Sequence, residues 1–85
     1  MVFLIAVFGS RTHAIGFIKY MREHGIDCVA VATPQSIGSG CGISARFSIG
    51  QTAFARQVIS ALSLTSFRGF FSIRKEGGRQ FITEL

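Results

Sequence analysis

The sequence is poor in charge, and in acidic residues above all, and it has a single proline and two cysteines. Only 15% of its 85 residues are charged while 48% are apolar, a balance too hydrophobic for disorder and sufficient for one compact domain spanning residues 1–85. No apolar run is long enough to cross a membrane. The longest closes at Phe8 and lacks both the basic start and the small-residue cleavage site of a secretory signal, so the chain is expected in the cytoplasm. Cys28 and Cys41 are too far apart for a CxxC pair, and with no sign of export both are expected as reduced thiols. Scarce acids leave a formal net charge of +5 on scattered Lys and Arg. That suits a soluble basic surface and permits attraction to nucleic acid without pointing to it. Neither internal repeats nor low-complexity segments occur.

What the chain does have is concentrated in one stretch. Residues 34–42 hold the only proline, three of the ten glycines and one of the two cysteines. Proline fixes a backbone dihedral and glycine reaches conformations closed to other residues, so Pro34, Gly40 and Gly42 shape a loop that presents the Cys41 thiol. A glycine on either side leaves the sulfur open to another molecule. The alternative is a glycine-rich hairpin loop in which the cysteine is incidental.

The rest reads as a frame for that loop. Val2–Phe8 is β-branched and aromatic on both alternating faces, the pattern of a central strand. Ser10 then caps a helix over about residues 11–24, with Ala14, Ile18 and Met21 at helical spacing and Gly25 as its stop. A second strand falls within residues 27–33. Ile43–Phe47 alternates as a half-exposed third strand, and Ser48 with Gln51 fits a capping box opening a helix to about residue 63. A fourth strand over residues 67–73 and a possible short fifth around residues 80–83 close the chain. The order β-α-β-β-α-β is that of a ferredoxin-like α+β sandwich: a four-stranded antiparallel sheet with two helices on one face.

In that topology strands one and two are parallel, so the turn at residues 9–13 and the loop at residues 34–42 emerge at the same end of the sheet. Cys41 can then face the start of helix one. A helix N-terminus stabilises a nearby thiolate, the reactive form of cysteine. Ser10, Arg11, Thr12 and His13 sit in that turn: the hydroxyls can donate hydrogen bonds, Arg11 can add positive charge and His13 can exchange a proton with the sulfur. Cys28, inside an apolar strand, reads as a small core residue. No metal site or cofactor is expected, because His24 and Cys28 fall at the end of the domain opposite Cys41 and His13. Asp27 lies at that far end too, which leaves a Cys-His hydrolase without an acidic orienter. The glycine loop leads into a strand, so it is neither a Walker loop nor a dinucleotide fingerprint.

The spaced set Ser10, Thr12, His13 and Ala14 opening a helix, Gly25-Ile26 closing it, then Pro34, Ile37, Ser39 and Cys41-Gly42 leading into Arg46-Phe47 resembles the selenium/sulfur carrier-like family of small bacterial domains. The similarity covers about residues 2–74. It implies that Cys41 is the carrier cysteine and that Ser10, Thr12 and His13 belong to the family's characteristic helix start. Gln35 and Ser36 stand where members often show a basic and an acidic residue, a departure that bears on partner choice. The implied role is a carrier rather than a catalyst, accepting sulfur or selenium from a donor protein as a persulfide or selenosulfide and passing it to an acceptor.

Two other classes compete. RNA-recognition domains share the element order, and Arg68-Gly69-Phe70-Phe71 resembles their arginine-glycine-aromatic motif. Yet Phe70 and Phe71 are adjacent on a fourth strand and must face opposite ways, so a shared stacking surface is not expected. A non-catalytic interaction or regulatory module would leave the cysteine incidental. A homodimer is also expected, since strands apolar on both faces under helices on one face leave a surface to cover, by a second copy or by Phe81, Ile82 and Leu85 folding back.

Overall fold

The computed structural model describes residues 2–38 and 40–85; Ser39 of the loop lies outside them. Its elements are β1 (Val2–Phe8), α1 (Arg11–Glu23), β2 (Val29–Ala32), a short 3-10 turn (Gln35–Ile37), β3 (Ile43–Phe47), a second 3-10 turn (Ile49–Gln51), α2 (Thr52–Ala61), β4 (Phe67–Glu76) and β5 (Arg79–Glu84). They form an α+β structure with a five-stranded sheet in the order β2-β3-β1-β4-β5, every neighbouring pair antiparallel. Because β3 lies between β1 and β2 and opposes both, those two strands are parallel. The sheet has five strands rather than four: β4 runs three residues beyond Ile73, and Gly77 and Gly78, both at positive φ, turn the chain back so that Arg79–Glu84 pairs along it.

Both ends of α1 follow from local chemistry. The Ser10 side chain accepts the His13 N–H at 3.3 Å. At the other end Gly25, at φ 77°, lets its own N–H reach the Arg22 carbonyl and the Ile26 N–H reach the Met21 carbonyl, closing the last turn. Between them Ala14, Phe17, Ile18 and Met21 form the buried stripe. The expected capping box at α2 does not form. Ser48 makes no side-chain cap; residues 49–51 wind as a 3-10 turn closed by the Gln51 N–H on the Ser48 carbonyl, and Thr52 Oγ1 donates to the Ile49 carbonyl at 2.6 Å.

The helix side of the sheet carries the main core. Leu4, Ala6 and Phe8 of β1 pack with Ala45, Phe47 and Phe70 of neighbouring strands under α1 and under Ala55 and Val58 of α2. Phenylalanine rings run through it at centroid spacings of 4.8 Å (Phe67–Phe70), 5.8 Å (Phe47–Phe70) and 5.3 Å (Phe8–Phe17), within the range where aromatic pairs attract. On the other face Ile5, Val7 and Ile73 are buried among Phe3, Val31, Ile37, Phe71 and Ile82. One chain therefore covers the middle of its second face itself, using Ile37 from the glycine loop and Ile82 from β5; the C-terminal strand extends the sheet and does not fold over it. β3 is not half-exposed as its alternation suggested. It is an interior strand, and Ser44 is fully buried with its hydroxyl 2.6 Å from that of Thr33.

A register shift between Val7 and Phe8 opposite β4 makes Arg68 an extra residue, with Gly69 at φ 143°. The bulge changes the parity of the strand, so Phe67 and Phe70 both face the helices although they are three apart, while Phe71 faces the other way. Arg68 lies along Gly9, where a Cβ would sit 2.7 Å from its guanidinium nitrogen. Several other cations lie on rings: Arg46 5.2 Å from the Phe3 centroid, Arg56 5.0 Å from Phe70 and Arg74 4.7 Å from Phe81. Part of the positive charge thus lies over aromatic faces. Among the described residues no helix is long and apolar enough to cross a membrane.

Candidate functional site

The loop before β3 is clamped at both ends. The Thr33 N–H donates to the Gly42 carbonyl at 3.0 Å, and the Cys41 N–H donates to the Phe8 carbonyl, the last of β1, at 2.9 Å. Between them Pro34 starts a single 3-10 turn, closed by the Ile37 N–H on the Pro34 carbonyl at 3.1 Å and ended by Gly38 at φ 70°. Residues 34–38 thus have internal order, and Ile37 packs on the sheet's second face. The two glycines beside the cysteine serve different ends. A Cβ on Gly40 would come within 2.8 Å of Val7 Cγ1 and 3.1 Å of the Phe8 carbonyl oxygen, so only glycine lets the backbone press against β1 here. Gly42, at φ 91°, has open space where its Cβ would be. Gly40→Ala should cost about 2–3 kcal/mol, from strain plus overlap with β1, and Gly42→Ala about 1 kcal/mol from strain alone. Urea unfolding midpoints check this; equal losses would mean that contact with β1 does not hold the loop.

Cys41 is partly exposed. Its side chain packs against the edge of the helix-side core, and its Sγ donates to the Ile43 carbonyl at 3.5 Å. The cysteine and the start of α1 lie at the same end of the sheet, joined through Phe8. The thiol's hydrogen bond goes to the first residue of β3, however, and not to Ser10, Thr12 or His13. Arg11 and Thr12 are exposed in the first turn.

Ser10 and His13 instead converge on Ser66, in the turn before β4. The Gly9 N–H donates to the Ser66 carbonyl at 2.8 Å and the Ser10 N–H donates to Ser66 Oγ at 3.1 Å. The same Oγ lies 2.6 Å from His13 Nδ1. Ser66 sits 53 residues from His13, and no short motif links them. Topology alone points to it, since β4 runs antiparallel to β1 and must begin where β1 ends.

Cys28 is 1% exposed in the helix-side core. Burial, helped by the neighbouring Asp27 charge, pushes its thiol up to about 11 from an ordinary 9.0, so it is held neutral. Both cysteines are free, and among the described residues no three His, Cys, Asp or Glu side chains gather to hold a metal.

With this geometry in view, comparison with family models gives one match, over residues 3–65, to the family described as Putative Se/S carrier protein-like. The chain belongs to that family. The match takes in the helix start and the whole cysteine loop and ends one residue before Ser66. No curated protein and no solved structure matches the chain.

Proposed function

We propose that this protein carries sulfur or selenium on Cys41 between a donor protein and an acceptor protein. The single observation behind the reading is a partly exposed thiol on a loop tied to β1 and β2, in a chain that belongs to a Se/S carrier-like family. In the loading step the Cys41 thiolate attacks the outer, sulfane sulfur of a donor persulfide. The new Cys41 sulfur–sulfur bond forms as the donor's breaks, and the donor leaves as a thiolate that takes up a proton. Handing on repeats the exchange with an acceptor thiolate, so no oxidant or reductant enters the cycle. A donor selenosulfide would deliver selenium by the same displacement. Ser10, Arg11, Thr12 and His13 line the helix start at the same end of the sheet, where positive charge and N–H groups favour an anionic sulfur. The backbone hydrogen bonds from Thr33 to Gly42 and from Cys41 to Phe8 suit a carrier, because they present the thiol to different partners in one geometry.

The test is loading followed by release. The reduced protein is incubated with a low-molecular-weight persulfide, desalted and treated with cyanide, which removes the outer sulfur as thiocyanate and leaves the thiol. The expected yield is one thiocyanate per chain, unchanged in Cys28→Ser and absent in Cys41→Ser. Wild-type release no higher than that of Cys41→Ser would defeat the proposal.

A further inference from the structure

The hydrogen bonds around His13 determine which ring nitrogen carries the proton. The Ser66 backbone N–H lies 3.4 Å from His13 Nδ1 and points at it; an N–H can only donate, so Nδ1 offers its lone pair. Ser66 Oγ, which accepts the Ser10 N–H at 3.1 Å, lies 2.6 Å from the same nitrogen, and since a lone-pair-bearing Nδ1 has no proton to give, the hydroxyl supplies the proton of that contact. Both donors agree. The neutral ring therefore carries its proton on Nε2, the nitrogen turned away from Ser66, and His13 is partly exposed. Ser66 reaches Gly9 and Ser10 from the β4 side of β1, while Cys41 reaches Phe8 from the β3 side, so ring and thiol flank one end of the same strand.

We propose that Ser66 is a positioning residue that holds His13 as the Nε2–H tautomer, and that this N–H donates a hydrogen bond to the anionic sulfur or selenium group exchanged at Cys41. The inference rests on the carrier reading. It gives the ring a donor's role and not a base's, because the only lone pair of the neutral ring is the one that Ser66 occupies. No proton changes hands at His13: the N–H stabilises the thiolate or persulfide anion during exchange, and the leaving thiolate takes its proton from water.

Two measurements on the full chain test this. Long-range nitrogen–proton NMR spectra of the histidine rings should show Nδ1 bare and Nε2 protonated in the wild type. Ser66→Ala, which keeps the 3.4 Å backbone donor but loses the 2.6 Å hydroxyl, should weaken the preference and admit some of the Nδ1-protonated form, and Ser66→Thr, which keeps a hydroxyl, should restore the single form. A wild-type ring protonated on Nδ1 would overturn the proposal. The second measurement is the rate of Cys41 loading from a low-molecular-weight persulfide. His13→Ala should slow it about tenfold, the effect of losing one hydrogen bond to a charged group, and Ser66→Ala should slow it by less, because the ring and its backbone donor remain. His13→Gln, which retains an N–H donor but no base, should stay near the wild-type rate. A His13→Gln variant as slow as His13→Ala would make the ring a base and refute the donor role. A wild type that does not load at all would overturn the carrier reading and the donor role with it, while the NMR spectra would still decide the Ser66–His13 tautomer separately.

Discussion

Cys41→Ser should abolish iodoacetamide labelling of the native protein at neutral pH, and Cys28→Ser should leave it almost unchanged. The two thiols differ in both properties that control alkylation. Cys41 is partly exposed on its loop, whereas Cys28 is 1% exposed beneath α1 and reacts only when the structure opens. For a small domain with about 5 kcal/mol of stability, opening that far slows labelling by roughly a thousandfold or more. Ionisation widens the gap. The folded Cys28 thiol titrates near 11, above its ordinary 9.0, so the native state holds its proton where the unfolded chain has lost it. The stability from keeping that thiol neutral is present in full below pH 9 and lost as pH rises through about 11. Native labelling of Cys28 should accordingly stay negligible at pH 8 and emerge only as alkali loosens the fold. Two cysteines labelling at similar rates at pH 7 would contradict the structure.

Phe70→Ala should cost about 3–5 kcal/mol, a large share of the roughly 4–13 kcal/mol available to a domain this size. Phe70 is 2% exposed and its ring meets Phe47 and Phe67 at 5.8 and 4.8 Å, so truncation leaves a cavity under α2. The same burial removes the ring from any nucleic-acid surface. Thermal or urea unfolding measures the loss. Binding of single-stranded RNA should be weak in both proteins and fall alike with salt, as non-specific phosphate contacts do. A well-folded variant that had lost tight RNA binding would reverse this account.

Where the sequence could be read, periodicity and capping carried the information. Val2–Phe8 declared itself a central strand, Ser10 and Gly25 bounded α1 to within a residue or two, and the element order placed the cysteine loop and the helix start at one end of the sheet. What escaped were features set by distant neighbours. The bulge at Arg68 depends on how β4 meets β1, so the helix-facing pair Phe67 and Phe70 has no signature in a strand pattern of period two. Ser44 looks like a solvent-facing residue until β3 is known to be interior and Thr33 to supply its hydrogen bond. At the candidate site the sequence places Cys41 and His13 at one end of the sheet, but it hides the partner of His13, because Ser66 arrives from the far end of α2. In the sequence Gly40 looks like a residue that leaves the sulfur open, whereas its place is set by contact with Val7 and Phe8.

The carrier account comes down to one atom on one side chain, and the mass of the intact protein reads it directly. The chain purified from its native host without reductant should include a population heavier by one sulfur or one selenium atom, located on Cys41, returned to the unmodified mass by a thiol reductant and absent from Cys41→Ser. A chain recovered only at its unmodified mass, or an added atom that persists in Cys41→Ser, would contradict it.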